Sequence, residues 1–290
     1  MKKISLLFIL LTFGMSINVA AQKKADGEIR LIVRGDDIGS SHAANVACIQ
    51  SYREGIMRTV EVMVPCPWFP EAVKMLNENP DLDVGIHLAI TSEWQYYKWR
   101  PLTYCPSLVD ENGYFYPMIW RRDDFPPNTA LREANWKIDE IEQEFRAQIE
   151  MALKKIPQVS HISCHMACSN WDDEVNQVYQ KLAQEYDLDI VPSDYGVQPV
   201  GGFGDASTVD ARIEKFIEIL ENLQAGTYLF VDHPGLNTPE MQAISHIGYE
   251  DVAADRDAVT RVFTSKKVKA VIQKRNIKLI GYADLKKEQK

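Results

Sequence analysis

Ile29-Arg30-Leu31-Ile32-Val33-Arg34-Gly35-Asp36-Asp37-Ile38-Gly39 decides the reading of this chain: an apolar strand over 29–33 breaks into a glycine turn carrying two carboxylates, and a helix signal follows from Ser41. In α/β folds, ligands bind and chemistry takes place outside the carboxyl ends of the strands. Two aspartates at that place mark a candidate active site. An aspartate ahead of a helix also serves as an N-cap, so the dipeptide alone leaves the two readings balanced. Neighbouring side chains on a strand face opposite ways. Asp36 and Asp37 therefore reach one centre only if the chain turns there, which Gly35 and Gly39 would allow.

Outward from this stretch, strand-like and helix-like segments alternate through almost the whole chain. Strands are expected at 59–64, 84–90, 159–163, 189–191, 228–231 and 277–282, and helices at 41–53, 70–77, 131–155, 173–185, 211–223 and 257–274. Repeated β-then-α units joined by right-handed crossovers give a parallel sheet. With seven strand candidates, the expectation is a single-domain α/β fold, a distorted or incomplete (β/α) TIM-like barrel spanning residues 22–290. No low-complexity tract, short repeat or Gly/Ser/Pro linker divides it. Two stretches break the rhythm. An insertion at 92–128 holds nine aromatics between Trp94 and Trp120, and long loops in compact folds are usually functional. Its rings, Trp94 and Tyr97 first among them, suit stacking on sugar; a small satellite core or an oligomer contact is the competing reading. Residues 193–209, rich in glycine and polar side chains, read as a mobile loop over the same face.

Composition bounds the setting. Residues 1–21 read as a secretory signal peptide: Lys2 and Lys3, an apolar run over 4–17, then Val19-Ala20-Ala21 as a small-residue cleavage site. The run is too short to span a bilayer, and no later segment reaches the length a membrane helix needs. A periplasmic or secreted protein is expected, with about 269 residues left once 21 of the 290 are removed, an ordinary size for one α/β barrel. The formal charge of −9 moves further negative when the two leader lysines go. No basic stripe stands out, which argues against nucleic acid as a partner. Five cysteines are an odd number and too sparse for a disulfide scaffold. They read as small buried hydrophobes, because no second Cys pair completes a zinc knot around Cys164 and Cys168.

Three of the six histidines stand at or just past expected strand ends: His87 in Gly85-Ile86-His87-Leu88, His165 in His161-Ile162-Ser163-Cys164-His165, and His233 in Asp232-His233-Pro234-Gly235. One histidine at such a place is more often structural. Four strands delivering Asp, His, His and His to one barrel mouth are harder to explain that way. One carboxylate with two imidazoles leaves positions open on a divalent ion, as catalytic sites do. The remaining groups can then move protons.

These motifs in this order, with Pro106-Ser107-Leu108-Val109-Asp110 and Gly113, and with Arg256 through the final Gly281-Tyr282, resemble the YdjC-like carbohydrate deacetylases, relatives of chitooligosaccharide deacetylase. The resemblance implies a distorted (β/α) barrel that binds one divalent cation, zinc or magnesium, and removes acetyl groups from N-acetylated sugars or oligosaccharides. Carried over by position, it implies Asp37, His87 and His165 as metal ligands and Asp36 as the general base. His233 would be the group that assists amine departure or steadies the oxyanion. Arg256 matches a family arginine near the site and is assigned, with Trp94 and Tyr97, to substrate binding. Where relatives usually read His-Ile-Asp-Ser-His-Gln-His, this chain reads His161-Ile162-Ser163-Cys164-His165-Met166-Ala167. It thus replaces an acidic residue by Ser163 and a second histidine by Ala167. Carboxylates behind histidine ligands tune metal affinity, so this departure implies a shifted metal or substrate preference.

The partner expected is an acetylated amino sugar, with self-association into a homodimer left open. A non-catalytic glycan-binding protein on the same fold is the alternative, motivated by the altered His161 segment and the aromatic loop. A glycoside hydrolase needs two carboxyl groups about 5 to 9.5 Å apart across a sugar bond, which neighbouring Asp36 and Asp37 fit poorly. A zinc protease would need a His-Glu-x-x-His helix, and the sequence has none.

Overall fold

The computed structural model describes residues 27–287, so the leader read in residues 1–21 lies outside them. In chain order the elements are β1 (Ile29–Ile38), α1 (His42–Arg53), β2 (Thr59–Val62), α2 (Phe69–Asn77), β3 (Asp83–Leu88), α3 (Ile138–Lys155), β4 (Val159–Cys164), α4 (Asp173–Glu185), β5 (Val197–Pro199), α5 (Val209–Asn222), β6 (Gly226–Asp232), α6 (Pro239–Gln242), α7 (Val252–Thr264), α8 (Lys266–Lys274), β7 (Ile277–Ile280) and α9 (Tyr282–Lys287). Helix starts follow local chemistry. Ser41, Asp172, Thr208 and Thr238 each accept a backbone N–H as N-caps, and Pro70 occupies the first turn of α2, where its missing N–H costs nothing.

All strand pairs are parallel, in the order β4-β3-β2-β1-β6-β5, with β7 also paired to β1. The sheet curls into an incomplete barrel with β4 and β5 at its two edges. Because every strand runs the same way, the carboxyl ends of β1, β3, β4 and β6 share one rim.

Alternation along the strands separates two environments. Leu31, Val33, Val60, Val62, Val84, Ile86 and Ile162 pack outward with the helices in the main core. On the concave side the lower half is apolar, with Ile32, Ile190, Val197, Ile280, Tyr282 and Leu285 packed together. The upper half is charged: Arg34 and Asp36 on β1, Glu61 on β2, His87 on β3 and His161 with Ser163 on β4. Burying a full aliphatic side chain is worth about 1.5–3 kcal/mol, so the outward layer carries the stability that tolerates this polar interior.

Four sequence expectations are corrected. Residues 189–191 form no strand: Pro192 follows directly, removes a donor and restricts its neighbour, and Ile190 instead fills the concave core. The missing strand is β5, inside the stretch read as a mobile loop; Val197, Gln198 and Pro199 pair with Thr227, Tyr228 and Leu229. The long helix expected from 131 begins at Ile138, after a single 3₁₀ turn at Leu131–Glu133. The helix expected over 257–274 is two helices that meet at Ser265, whose ψ of 128° breaks the path.

The aromatic insertion is mostly satellite core. Trp94, Trp99 and Phe115 are buried, while Tyr96 and Tyr104 point to solvent. A buried carboxylate on α3 anchors it. Glu144 accepts the backbone N–H groups of Leu102 and Thr103 at 3.1 and 2.9 Å, the Thr103 hydroxyl at 2.7 Å and Gln148 Nε2 at 2.8 Å. Four of the five cysteines are buried, Cys164 is half-buried and all are free thiols, as expected of small hydrophobes. Among the described residues, no helix is long and apolar enough to cross a membrane. Replacing Glu144 by Ala leaves buried donors unanswered, each costing about 1–3 kcal/mol. Guanidinium unfolding should show a clearly lower midpoint, with faster proteolysis in residues 99–120; an unchanged midpoint would refute the anchoring role.

Candidate metal centre

The site starts with the backbone of Asp37. Strand alternation places Arg34 and Asp36 on the concave side and would send Asp37 outward. Its φ of +72° turns it back, and the β1–β2 register shifts between Gly35 and Ile38. The left-handed region costs a non-glycine residue on the order of 1–2 kcal/mol, least for Asp and Asn. The Asp37 carbonyl accepts from the Ser40 N–H and hydroxyl at 3.1 and 2.7 Å, closing the turn. Gly39 (φ +97°) completes it, and a Cβ there would meet the Met63 carbonyl oxygen at 2.8 Å. Gly35 has a different task from the one expected: a Cβ there would lie 2.4 Å from Met57 Sδ, so it makes room for packing.

Asp37, His87 and His165, all buried, offer three ligand atoms within 4.8 Å of one another. Asp37 Oδ1 lies 3.7 Å from His87 Nε2 and 3.4 Å from His165 Nδ1. Donors at 2.0–2.1 Å around a tetrahedral ion stand about 3.3 Å apart, close to both of these distances. Asp37 Oδ1 is also a buried oxygen without a hydrogen-bond partner, an expensive arrangement that a cation would relieve. The group fits a divalent ion.

Each donor is braced from behind. Asp37 Oδ2 accepts from Arg256 Nη2 at 2.8 Å. Burial pushes this carboxyl up, but Arg256 and the nearby imidazoles outweigh it and hold it well below the usual carboxylate range. His165 Nε2 lies 3.0 Å from Glu93 Oε2. Burial works against a proton on His165, yet Glu93 and Asp37 together push its pKa up to about 10; a cation at Nδ1 takes the place of that proton. His87, with burial dominant, is pushed down to about 4, so its ring is neutral and ready to donate a lone pair. His87 Nδ1 lies 2.7 Å from Ser163 Oγ, which donates to Glu61 Oε2.

Around this core Asp36, 4 % exposed, is clasped by Arg34, with Nη2 2.8 Å from Oδ2 and Nε 2.7 Å from Oδ1. Its Oδ2 lies 3.8 Å from His87 Nε2, beside the donor cluster and outside it. His233, one residue past β6, is at the rim with its side chain 40 % exposed and Nδ1 3.7 Å from Asp232 Oδ1. Burial lowers its affinity for a proton, but Asp232 and the charge of Asp37 raise it more, and the net shift is upward.

The three residues assigned to substrate binding lie around the donor cluster. Arg256 is buried against Asp37, and Trp94 lies beneath it with the guanidinium carbon 5.3 Å from the ring centroid. Trp94 also stacks on His246 at 5.4 Å and 22°. Neither presents a free face to a sugar. Tyr97 is half-buried and donates its hydroxyl to the Ser40 carbonyl, so it supports the turn. Sequence reasoning missed Glu93, Glu61, Arg34 and Trp99, whose ring edge packs on His165 at 6.2 Å. Only Glu93, five residues past β3 and at the head of the insertion, had a positional signal.

Comparison with known proteins places this geometry. The YdjC-like protein family matches residues 30–274. A carbohydrate deacetylase of Thermus thermophilus is 31% identical over 239 residues, covering 74% of this chain and 80% of the relative. Carbohydrate deacetylase 1 of Listeria innocua is 27% identical over 267 residues, 89% of this chain and 100% of the relative. A crystal structure from Enterococcus faecalis V583, of a candidate cellobiose-phosphate cleavage protein, shares the fold with a TM-score of 0.70 at 23% identity, covering 89% of this chain and 99% of that one. The match over most of its length means that this chain belongs to the YdjC-like protein family.

Proposed function

We propose that this protein is a metal-dependent carbohydrate deacetylase that hydrolyses the acetamide of an N-acetylated sugar or oligosaccharide. The relatives named carbohydrate deacetylase support the reaction class. The observation that carries the reading is the bare Asp37 Oδ1 facing His87 and His165, with Asp36 beside them. Asp37, His87 and His165 would hold the ion, and two imidazole donors favour zinc or another transition ion over magnesium. Such an ion supplies Lewis acidity to the acyl oxygen and lowers the pKa of water.

The chain's own residues divide the remaining work. Asp36, fixed by Arg34, accepts a proton from the attacking water as its oxygen bonds to the acetyl carbon. His233, at the rim, gives a proton to the nitrogen as the carbon–nitrogen bond breaks, releasing acetate and a free amine. Its upward shift favours the protonated ring that this step uses. A purely glycan-binding role would have no use for a buried carboxylate oxygen that lacks a hydrogen-bond partner and faces two imidazoles. The leader read in the sequence of residues 1–21 supports an activity outside the cytoplasm, in the periplasm or medium.

Zinc added to chelator-treated protein should raise the melting temperature, since a ligand at a hundred times its Kd adds about 2.7 kcal/mol. Asp37→Asn and His87→Ala should abolish that rise; a retained rise would place the ion elsewhere. Acetate release from N-acetylglucosamine oligomers should fall about a hundred- to ten-thousand-fold in Asp36→Asn, with zinc uptake retained. No release from any acetylated glycan by the zinc-loaded wild type would overturn the reaction assignment. Because His233 acts in its protonated form, kcat/KM should decline as pH rises through its pKa. That alkaline limb should vanish in His233→Gln, and a limb that persists assigns the proton to another group.

A further inference from the structure

Glu61 touches no ligand atom, yet both its oxygens serve the concave face. It is fully buried at the centre of β2. Oε1 lies 2.7 Å from His161 Nε2 and 3.8 Å from Arg34 Nε, and Oε2 accepts from the Ser163 hydroxyl. Ser163 Oγ in turn lies 2.7 Å from His87 Nδ1. We propose that Glu61, acting through the Ser163 hydroxyl, is a positioning residue that fixes the orientation and tautomer of His87 and so sets the affinity of the site for its cation. The proposal rests on the reading of Asp37, His87 and His165 as the ion's ligands.

The direction of each hydrogen bond follows from the partners. Glu61 sits between His161 and Arg34 as a carboxylate, which only accepts. The Ser163 hydroxyl must therefore give its one hydrogen to Glu61. Its oxygen is left to accept, so His87 carries its hydrogen on Nδ1. The lone pair is then on Nε2, the atom that faces Asp36 and Asp37 at 3.8 and 3.7 Å. Without the relay nothing at Nδ1 would select that tautomer, and the ring could turn about its bond to the chain.

The arrangement is built for this purpose at a neighbouring position as well. A Cβ on Gly85 would lie 2.2 Å from Glu61 Oε2 and 2.5 Å from His161 Nε2, so a side chain there would expel the carboxylate. Tyr282 closes the far side, stacked flat on His161 at 3.9 Å between centroids. The two imidazoles of the site thus receive carboxylates by different routes: Glu93 reaches His165 directly, and Glu61 reaches His87 through one hydroxyl.

The test uses metal-free protein. Histidine nitrogen NMR of the wild type should find His87 as the Nδ1–H tautomer; an Nε2–H tautomer would overturn the proposal without any variant. Zinc chloride titrated by calorimetry should bind Ser163→Ala about ten- to a hundredfold more weakly than wild type, while Ser163→Thr, which keeps the hydroxyl, restores the affinity. Metal-free Ser163→Ala should stay folded but melt below wild type, because the buried His87 N–H and one Glu61 oxygen lose their partner, and Ser163→Thr should recover that loss as well. Equal zinc affinity in Ser163→Ala and wild type would overturn the relay alone. A wild type that binds no zinc or other divalent ion would overturn the metal reading, and the relay with it.

Discussion

The contact between Arg256 and Asp37 is the constraint on which the site depends. Asp37 is held in a left-handed backbone conformation, and its carboxylate is buried at the carboxyl end of β1. A lone charge there would be expelled or protonated. The guanidinium of Arg256, carried on α7 from the far end of the chain, neutralises one oxygen at 2.8 Å and leaves the other bare toward His87 and His165. Trp94 beneath the guanidinium keeps it from swinging out toward water. Turn, charge pair and aromatic support meet at this one carboxylate.

From that unit the concave face continues as a sequence of alternating charges: Asp36 on Arg34, Arg34 toward Glu61, and Glu61 on His161 and Ser163. Buried ion pairs of this kind contribute little net stability, because desolvation consumes most of the attraction. What they provide is fixed geometry, since each group is held by side chains of its own or nearby strands. The folding energy comes from the other face of the same strands, where valines, leucines and isoleucines meet the helices.

The sequence showed the rhythm of the fold and the identity of the donor cluster. Strand-end position marked Asp36, Asp37, His87, His165 and His233 as candidates, and the resemblance to the YdjC-like deacetylases singled out Asp37, His87 and His165, which the fold brings within 4.8 Å of one another. The bracing groups carried no such mark. Glu61 in Thr59-Val60-Glu61-Val62 looks like any polar residue of a half-exposed strand, and Ser163 read as a lost carboxylate. Both readings change once β2, β3 and β4 lie side by side and Glu61 is seen to supply a carboxylate from the next strand but one. Strand β5 was missed for a related reason: three residues after a proline and a glycine carry too little periodicity to announce a strand without the β6 edge beside them.

Local order therefore determined which residues stand at the rim, since strand and helix periodicity depend on near neighbours along the chain. Only tertiary structure decided what each of them does there. Arg256 became the partner of Asp37, and Trp94 and Tyr97 became supports beneath the site, because close packing assigns every buried polar atom a neighbour distant in sequence. That neighbour is set by how the strands and helices assemble, which no local pattern encodes.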